Sequence, residues 1–145
     1  MKAVVQRVKK TKLSCEGKLI SEIEKGLAVY FGVKVGDPYE KADHLAKKIA
    51  NLRVFEDENG KMNLSVKDIG GEILAISQFT LLADTSRGNR PGFSEAEEPI
   101  RANEVYEYFI KKLTEYDIPV KKGVFGGDMK IEQFNDGPVT IIFDV

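Results

Sequence analysis

The chain has 145 residues, 42% of them hydrophobic and 31% charged. That is a one-domain length, able to bury roughly 68–70% of its unfolded surface, and it excludes disorder as the main state. Twenty-two basic residues against 23 acidic ones give a net charge of −1, which excludes a polycation, so any nucleic acid has to be met through a local patch.

No apolar run approaches the roughly 18 residues of a membrane span. The opening MKAVVQRVKK has no apolar stretch of signal-peptide length. Cys15 is the single cysteine and cannot form an internal disulfide, so a cytoplasmic setting away from membranes is expected.

In chain order, Ala3–Val8 alternates with a period of two and reads as a strand. Leu13–Glu16 and Lys18–Ile23 read as a hairpin turning at Gly17. Gly26 opens Leu27–Val33, an unbroken apolar run that suits a strand buried on both faces. Asp37-Pro38 reads as a helix start, with Asp37 as N-cap and Pro38 in the first turn. Ala42, Leu45, Ala46, Ile49 and Leu52 then recur at helical spacing. A short strand is expected at Arg53–Glu56, followed by an Asn59-Gly60 turn.

Glu72–Leu81 reads as the longest clear strand, running into the polar loop 83–92, a length that is usually functional or mobile. Ser94 is placed to cap a second helix with Ala102, Val105, Tyr106, Phe109 and Leu113 on its apolar face. Strands return at Pro119–Val124, Met129–Phe134 and Val139–Val145. There is no internal repeat or linker. Residues 1–145 therefore read as a single α+β domain, a mostly antiparallel β-sheet or barrel covered by two main helices.

Several chemistries lack their parts. His44, the only histidine, falls on the wet side of the first helix beside Lys47 and Lys48, so a Ser-His-Asp triad has no base. Cys15 has no histidine partner. No Cys/His cluster has zinc spacing, and neither phosphate-cradling glycine motif is present. Two segments remain. Ser77-Gln78-Phe79-Thr80 sits at a strand end, where sites are commonly built, although Phe and Thr also suit a plain strand. Asn135-Asp136-Gly137-Pro138-Val139-Thr140 reads on its own as a turn before the last strand, and one X-Pro bond does not reveal its isomer.

Together these two segments resemble the signature motifs of the D-aminoacyl-tRNA deacylase family, of the D-tyrosyl-tRNA deacylase type. Gln6-Arg7-Val8, Phe55 with Gly60-Lys61-Met62-Asn63, Ala83-Asp84, Arg90-Pro91 and Phe125–Met129 resemble further landmarks in the family's order, so the likeness spans the whole chain. Two positions depart from it. Gly92 stands where an Arg-Pro-Ser-Phe run is expected, and Gly127 where alanine or another small residue is usual; both are expected to loosen loops near the site.

The resemblance implies a homodimer that hydrolyses the ester between a D-amino acid and the terminal adenosine of tRNA, with no metal and no organic cofactor. It implies a cis Gly137–Pro138 bond reaching into the partner's active site, with Arg7 holding that motif. Ser77, Gln78, Phe79 and Thr80 would line the reaction centre, and Phe125 and Met129 the adenosine and aminoacyl pocket.

An aminoacyl ester is already activated, so placing a water and stabilising an oxyanion would suffice. Amides near Phe79 and Thr80 are candidate donors. Thr80 Oγ1 is one candidate nucleophile, but no base is visible to activate it; a water oriented by the terminal ribose 2′-OH is the preferred route. Main-chain oxygens of the Gly-Pro segment would take the α-ammonium of a D-residue and clash with an L side chain, which leaves glycine a substrate. Lysines at 9, 10, 12, 111, 112, 121 and 122, with Arg87 and Arg90, are the candidate phosphate contacts. The rival readings are a non-catalytic RNA-binding barrel, an esterase for free metabolites and a purely structural dimer.

Overall fold

The computed structural model describes residues 1–145. Its organising element is β1 (Lys2–Cys15), whose alternate residues are buried as a period-two strand requires. After a turn at Glu16-Gly17, β2 (Lys18–Ile23) and β3 (Gly26–Gly32) run back along one edge of β1. They keep one register: Thr11 faces Ile23, Val8 faces Gly26 and Lys2 faces Gly32. The two strands are thus a single ribbon interrupted at Glu24-Lys25.

β3 is followed by α1 (Tyr39–Ala50), the two-stranded β4 (Phe55–Glu56) and β5 (Met62–Leu64), and then β6 (Glu72–Ser77), which pairs with β3 in parallel. α2 (Pro99–Thr114) crosses over to β7 (Val120–Lys122), parallel to β6. Parallel neighbours need such crossovers, and they carry both helices. β8 (Met129–Asp144) lies along the other edge of β1. The sheet is therefore mixed, antiparallel around β1 and parallel at β3–β6–β7. It curls toward a nearly closed barrel, with Ser21 Oγ donating to Lys122 O at 2.6 Å and Lys121 Nζ to Glu22 O at 2.6 Å.

The helices bury their apolar stripes on the sheet. Leu45, Ala46 and Ile49 of α1 and Val105, Tyr106, Phe109 and Leu113 of α2 join Val29, Phe31 and Ala75 in the main core. Phe31 and Phe109 stack at 4.3 Å between ring centroids. No helix is long and apolar enough to cross a membrane.

Four local expectations change. Asp37 does not cap α1; Pro38 occupies that position. The Asp37 carboxylate instead accepts from the Lys34 amide, pairs with Lys41 and meets the Met1 ammonium, which is a stronger use of a buried charge than one helix amide. Ser94 does not start α2, which begins at Pro99 with Glu98 preceding it. The strand expected to run to Leu81 ends at Ser77. Its last bond to β3 is Gln78 N–H to Phe31 O at 2.8 Å, and Phe79–Leu82 then coil into a 3₁₀ turn that drops Leu82 into the core. With β3 ending at Gly32, those β-prone residues have no strand to pair with.

The two C-terminal strands are one. Around Arg7 the pairing jumps from Gln6–Thr140 to Val8–Asn135, so Asp136–Val139 bow out of the ladder without breaking the strand.

Candidate active site

At the carboxyl ends of β3 and β6 lies a cleft of about 460 Å³. It is lined by Ser77, Gln78 and Phe79, by the Phe125–Gly127 turn with Met129, and by Pro99, Ala102 and Tyr106 of α2. The parallel β3–β6 pair brings these strand ends together, which is where open sheets with crossover helices commonly place their ligands.

Gly32 makes the floor possible. A Cβ there would come within 2.8 Å of Gln78 O and 2.6 Å of Leu82 Cδ2, so only glycine lets the end of β3 lie against the 3₁₀ turn. That turn presents the amides of Phe79 and Thr80 at its start, where N–H groups have no partner inside the turn. Phe79 is 56% exposed and meets Phe93 edge-on at 5.0 Å.

Of the residues singled out in the sequence, the fold gathers Ser77, Gln78, Phe79, Phe125 and Met129 around the cleft. Thr80 stands beside it, exposed and outside the lining, with its Oγ1 accepting a short hydrogen bond from Gln78 Nε2. Gly137 and Pro138 are exposed and outside the lining of their own chain's cleft. The Gly137–Pro138 peptide is cis, and Gly137 has φ 146°. Arg7 is buried beneath that segment, with Nε donating to Asp136 O at 2.9 Å and Nη1 to Val54 O at 2.7 Å.

Sequence reasoning missed Glu97, which lines the cleft, and placed Tyr106 only in the core. Nothing in the segment Glu95–Glu98 distinguishes the one acidic residue that lines the cleft. Tyr106 donates its hydroxyl to Ala75 O at 2.8 Å, and burial pushes its ionisation far above the usual tyrosine range. His44 is exposed on α1 and is not among the lining residues.

The two departures have specific surroundings. Gly92 is held rather than loose, its N–H and C=O both paired with Asp84 at 2.8 Å. A Cβ at Gly127 would press on Cys15 Sγ at 3.0 Å and on Val124 at 3.1 Å. The cation clusters are largely neutralised: Lys10 pairs with Glu22 and Glu24, Lys112 with Glu115, Lys121 with Glu72 and Lys122 with Glu107. Arg87 and Arg90, in the loop that follows the 3₁₀ turn, have no such partner.

Comparison with known proteins gives a consistent answer. A family model described as D-Tyr-tRNA(Tyr) deacylase matches residues 4–144. A D-aminoacyl-tRNA deacylase of Persephonella marina is 56% identical over 144 residues, covering 99% of this chain and 97% of the relative. One of Geotalea daltonii is 51% identical over 144 residues, covering 99% and 96%. Among solved structures, a c-Myc DNA Unwinding Element Binding Protein superposes with TM-score 0.93 at 41% identity, covering 100% of this chain and 99% of that one. A probable eukaryotic D-amino acid tRNA deacylase shares the fold at TM-score 0.86 and 16% identity, covering 99% and 98%.

Proposed function

The chain belongs to the D-Tyr-tRNA(Tyr) deacylase family and is an ester hydrolase of D-aminoacyl-tRNA, and we propose that the cleft between Ser77–Phe79 and Phe125–Met129 holds the scissile ester. Ser77, Gln78 and Phe79 contact the reacting group. Phe125 and Met129 border the adenosine and the aminoacyl group. The amides of Phe79 and Thr80 donate to the oxyanion, a role that removes no proton and needs no imidazole.

The observation that carries this mechanism is the state of Thr80. Its Oγ1 accepts from Gln78 Nε2, and it has no hydrogen bond to a carboxylate, imidazole or amine. Glu97 is a poor base as well. The Gly36 amide holds its carboxyl below the usual carboxylate range against the opposing effect of burial, helped by the Glu98 amide and the Arg101 charge. The nucleophile is therefore water, oriented by the terminal ribose 2′-OH of the tRNA rather than by a side chain. No metal or organic cofactor enters this scheme.

We further propose a homodimer in which the partner subunit's Gly137 and Pro138 complete the cleft. Three features support this reading. The segment is exposed and outside its own cleft; Arg7 fixes it from below; and β8 leaves a free edge with Phe134 67% and Ile142 71% exposed. Main-chain oxygens of this Gly-cis-Pro segment take the α-ammonium, and an L side chain collides with them. Glycine has no such side chain and is hydrolysed. Discrimination of roughly 10⁴ requires about 5.5 kcal/mol, which steric exclusion supplies more readily than one lost hydrogen bond. The acceptor end of tRNA docks through Arg87, Arg90 and the Phe79–Phe93 pair, with a steep salt dependence, and the enzyme works in the cytoplasm where that tRNA is used.

The test is deacylation of one tRNA carrying D-tyrosyl, L-tyrosyl or glycyl ester. Hydrolysis of the D- and glycyl esters with the L-ester intact is expected. Equal inertness of all three would return the choice to the rival readings, an RNA-binding barrel, an esterase for free metabolites or a structural dimer. Inertness of the glycyl ester alone would remove the steric filter.

A further inference from the structure

The bow in β8 has two feet, and a side-chain amide holds each of them. Pairing with β1 stops at Gln6–Thr140 and resumes at Val8–Asn135, which leaves residues 136–139 outside the ladder. Gln6 Nε2 donates to Thr140 Oγ1 at 3.3 Å, and Gln133 Nε2 donates to Asn135 Oδ1 at 2.6 Å. The two amides are themselves joined, Gln133 Nε2 also donating to Gln6 Oε1 at 2.8 Å. The oxygen of Gln133 accepts from the Tyr30 hydroxyl at 3.0 Å. Gln133 thus has both N–H bonds and its carbonyl engaged in one network.

The strands do not need these bonds in order to pair, because the backbone ladder continues on either side of the bow. What the bonds add is a fixed separation between the feet. Arg7 holds the Asp136 end. Thr140 lies beyond the Gly137–Pro138 peptide and is held by Gln6 instead. At the other end of the network, burial raises the ionisation of Tyr30 and keeps its hydroxyl protonated and able to donate. Tyr30 pairs with Ile76 and precedes Phe31, and both of those residues line the cleft. A hydrogen-bonded path therefore joins the floor of a chain's cleft to the bow of the same chain.

We propose that Gln133, acting with Gln6 and Tyr30, is a positioning residue for the chirality filter: its amide clamps the feet of the Gly137–Pro138 bow and so fixes where the bow's main-chain oxygens stand in the partner's cleft. The inference rests on the bow being that filter. A clash rejects an L side chain only while the colliding oxygens cannot retreat, so the clamp matters more for the L-ester than for the D-ester.

The experiment measures single-turnover hydrolysis of D-tyrosyl and L-tyrosyl ester on one tRNA, with the full chain in excess so that slow L-ester cleavage is read. Gln133→Met keeps the length and removes every bond at the centre of the network. It should lower the D to L rate ratio by about threefold to thirtyfold, chiefly by raising the L-rate. Tyr30→Phe removes one hydroxyl and should lower the ratio by about twofold to fivefold. Ile49→Val thins the core under α1, away from the cleft lining, and should melt earlier with the ratio unchanged. An equal fall in Ile49→Val would make the effect a general loosening and overturn the proposal. So would an unmoved ratio in both network variants while Arg7→Ala lowers it, which would leave the filter in place and confine its positioning to Arg7. A fall in Gln133→Met alone keeps the clamp and removes Tyr30 from it. If Gln133→Met does not fold, Tyr30→Phe decides. Wild type that cleaves both esters alike, or a ratio that none of these variants moves, would overturn the bow as filter, and this inference with it.

Discussion

Arg7 and Asp136 are 129 positions apart in sequence and joined in space, the Arg7 guanidinium donating to the Asp136 carbonyl oxygen at 2.9 Å. The acceptor is the residue before Gly137. The same guanidinium holds Val54 O at 2.7 Å, so one buried side chain ties the bowed part of β8 to the loop before β4. Arg7, like Lys9, is a residue of β1 that the pairing with β8 skips. The ladder leaves a gap there, and the guanidinium fills it.

Arg7→Ala should therefore cost about 2–4 kcal/mol, because it leaves buried acceptors unpaired. Arg7→Lys keeps the charge but not the fork, and should recover only part of that loss. Denaturant unfolding reads the stability. In deacylation, a larger rise in L-ester hydrolysis than in D-ester hydrolysis is expected, since the filter loosens before the catalytic wall does. An unchanged D to L ratio in a destabilised Arg7→Ala protein would separate Arg7 from the filter.

Thr80→Ala should retain activity within about tenfold of wild type, since its hydroxyl is held by Gln78 and hydrogen-bonds to no base. A 2′-deoxy terminal adenosine should abolish hydrolysis. Single-turnover rates on matched substrates check both. A folded Thr80→Ala protein that binds tRNA and cleaves nothing would return the nucleophile to the side chain.

Asp37 makes part of the fold's stability pH-dependent. Burial alone would raise its carboxyl, but hydrogen bonds from Lys41, the Met1 ammonium and the Lys34 amide outweigh it and hold the group below its ordinary value. A carboxylate with a lowered folded-state pKa contributes stability that is present above the unfolded value and disappears as pH falls through the folded one. Thermal melts from pH 7 down through about pH 4 and below should show wild type losing more stability than Asp37→Asn. Parallel curves would mean that the acid sensitivity resides in other carboxylates.

The two glycine departures should behave oppositely. At Gly92 a Cβ would meet only Asp84 O at 3.8 Å, so Gly92→Ser should change stability by less than about 0.5 kcal/mol. At Gly127 the contacts with Cys15 and Val124 are tight, so Gly127→Ala should cost about 1–3 kcal/mol. Calorimetric melting of the two variants distinguishes them.

Phe109→Ala removes the ring stacked on Phe31 at the centre of the core and should cost about 3–5 kcal/mol. A smaller loss in chemical denaturation would mean that the helices reclose over the cavity.

By itself the sequence determined the elements whose signal is local. The apolar period of both helices, the doubly buried run of β3 and the hairpin at Gly17 depend on which neighbours are hydrophobic and where glycine stands, and each is present. The two signature segments were legible because a family's residues can be matched without knowing where they meet. What the tertiary structure alone decided are pairings between distant residues. Asp37 looked like a helix cap because capping is local; Lys34 and Lys41 are near it in sequence, but the Met1 ammonium reaches it only once β1 and α1 are packed. Phe79–Leu81 looked like strand because their side chains favour sheet, but a strand needs a neighbour, and β3 stops at Gly32. Glu97 was one acid among several until the loop after β3 supplied the amide of Gly36 that holds its carboxylate, in a residue that lines the cleft. Side-chain periodicity records what each residue prefers, while a site consists of which residues face each other, and only the folded chain fixes that.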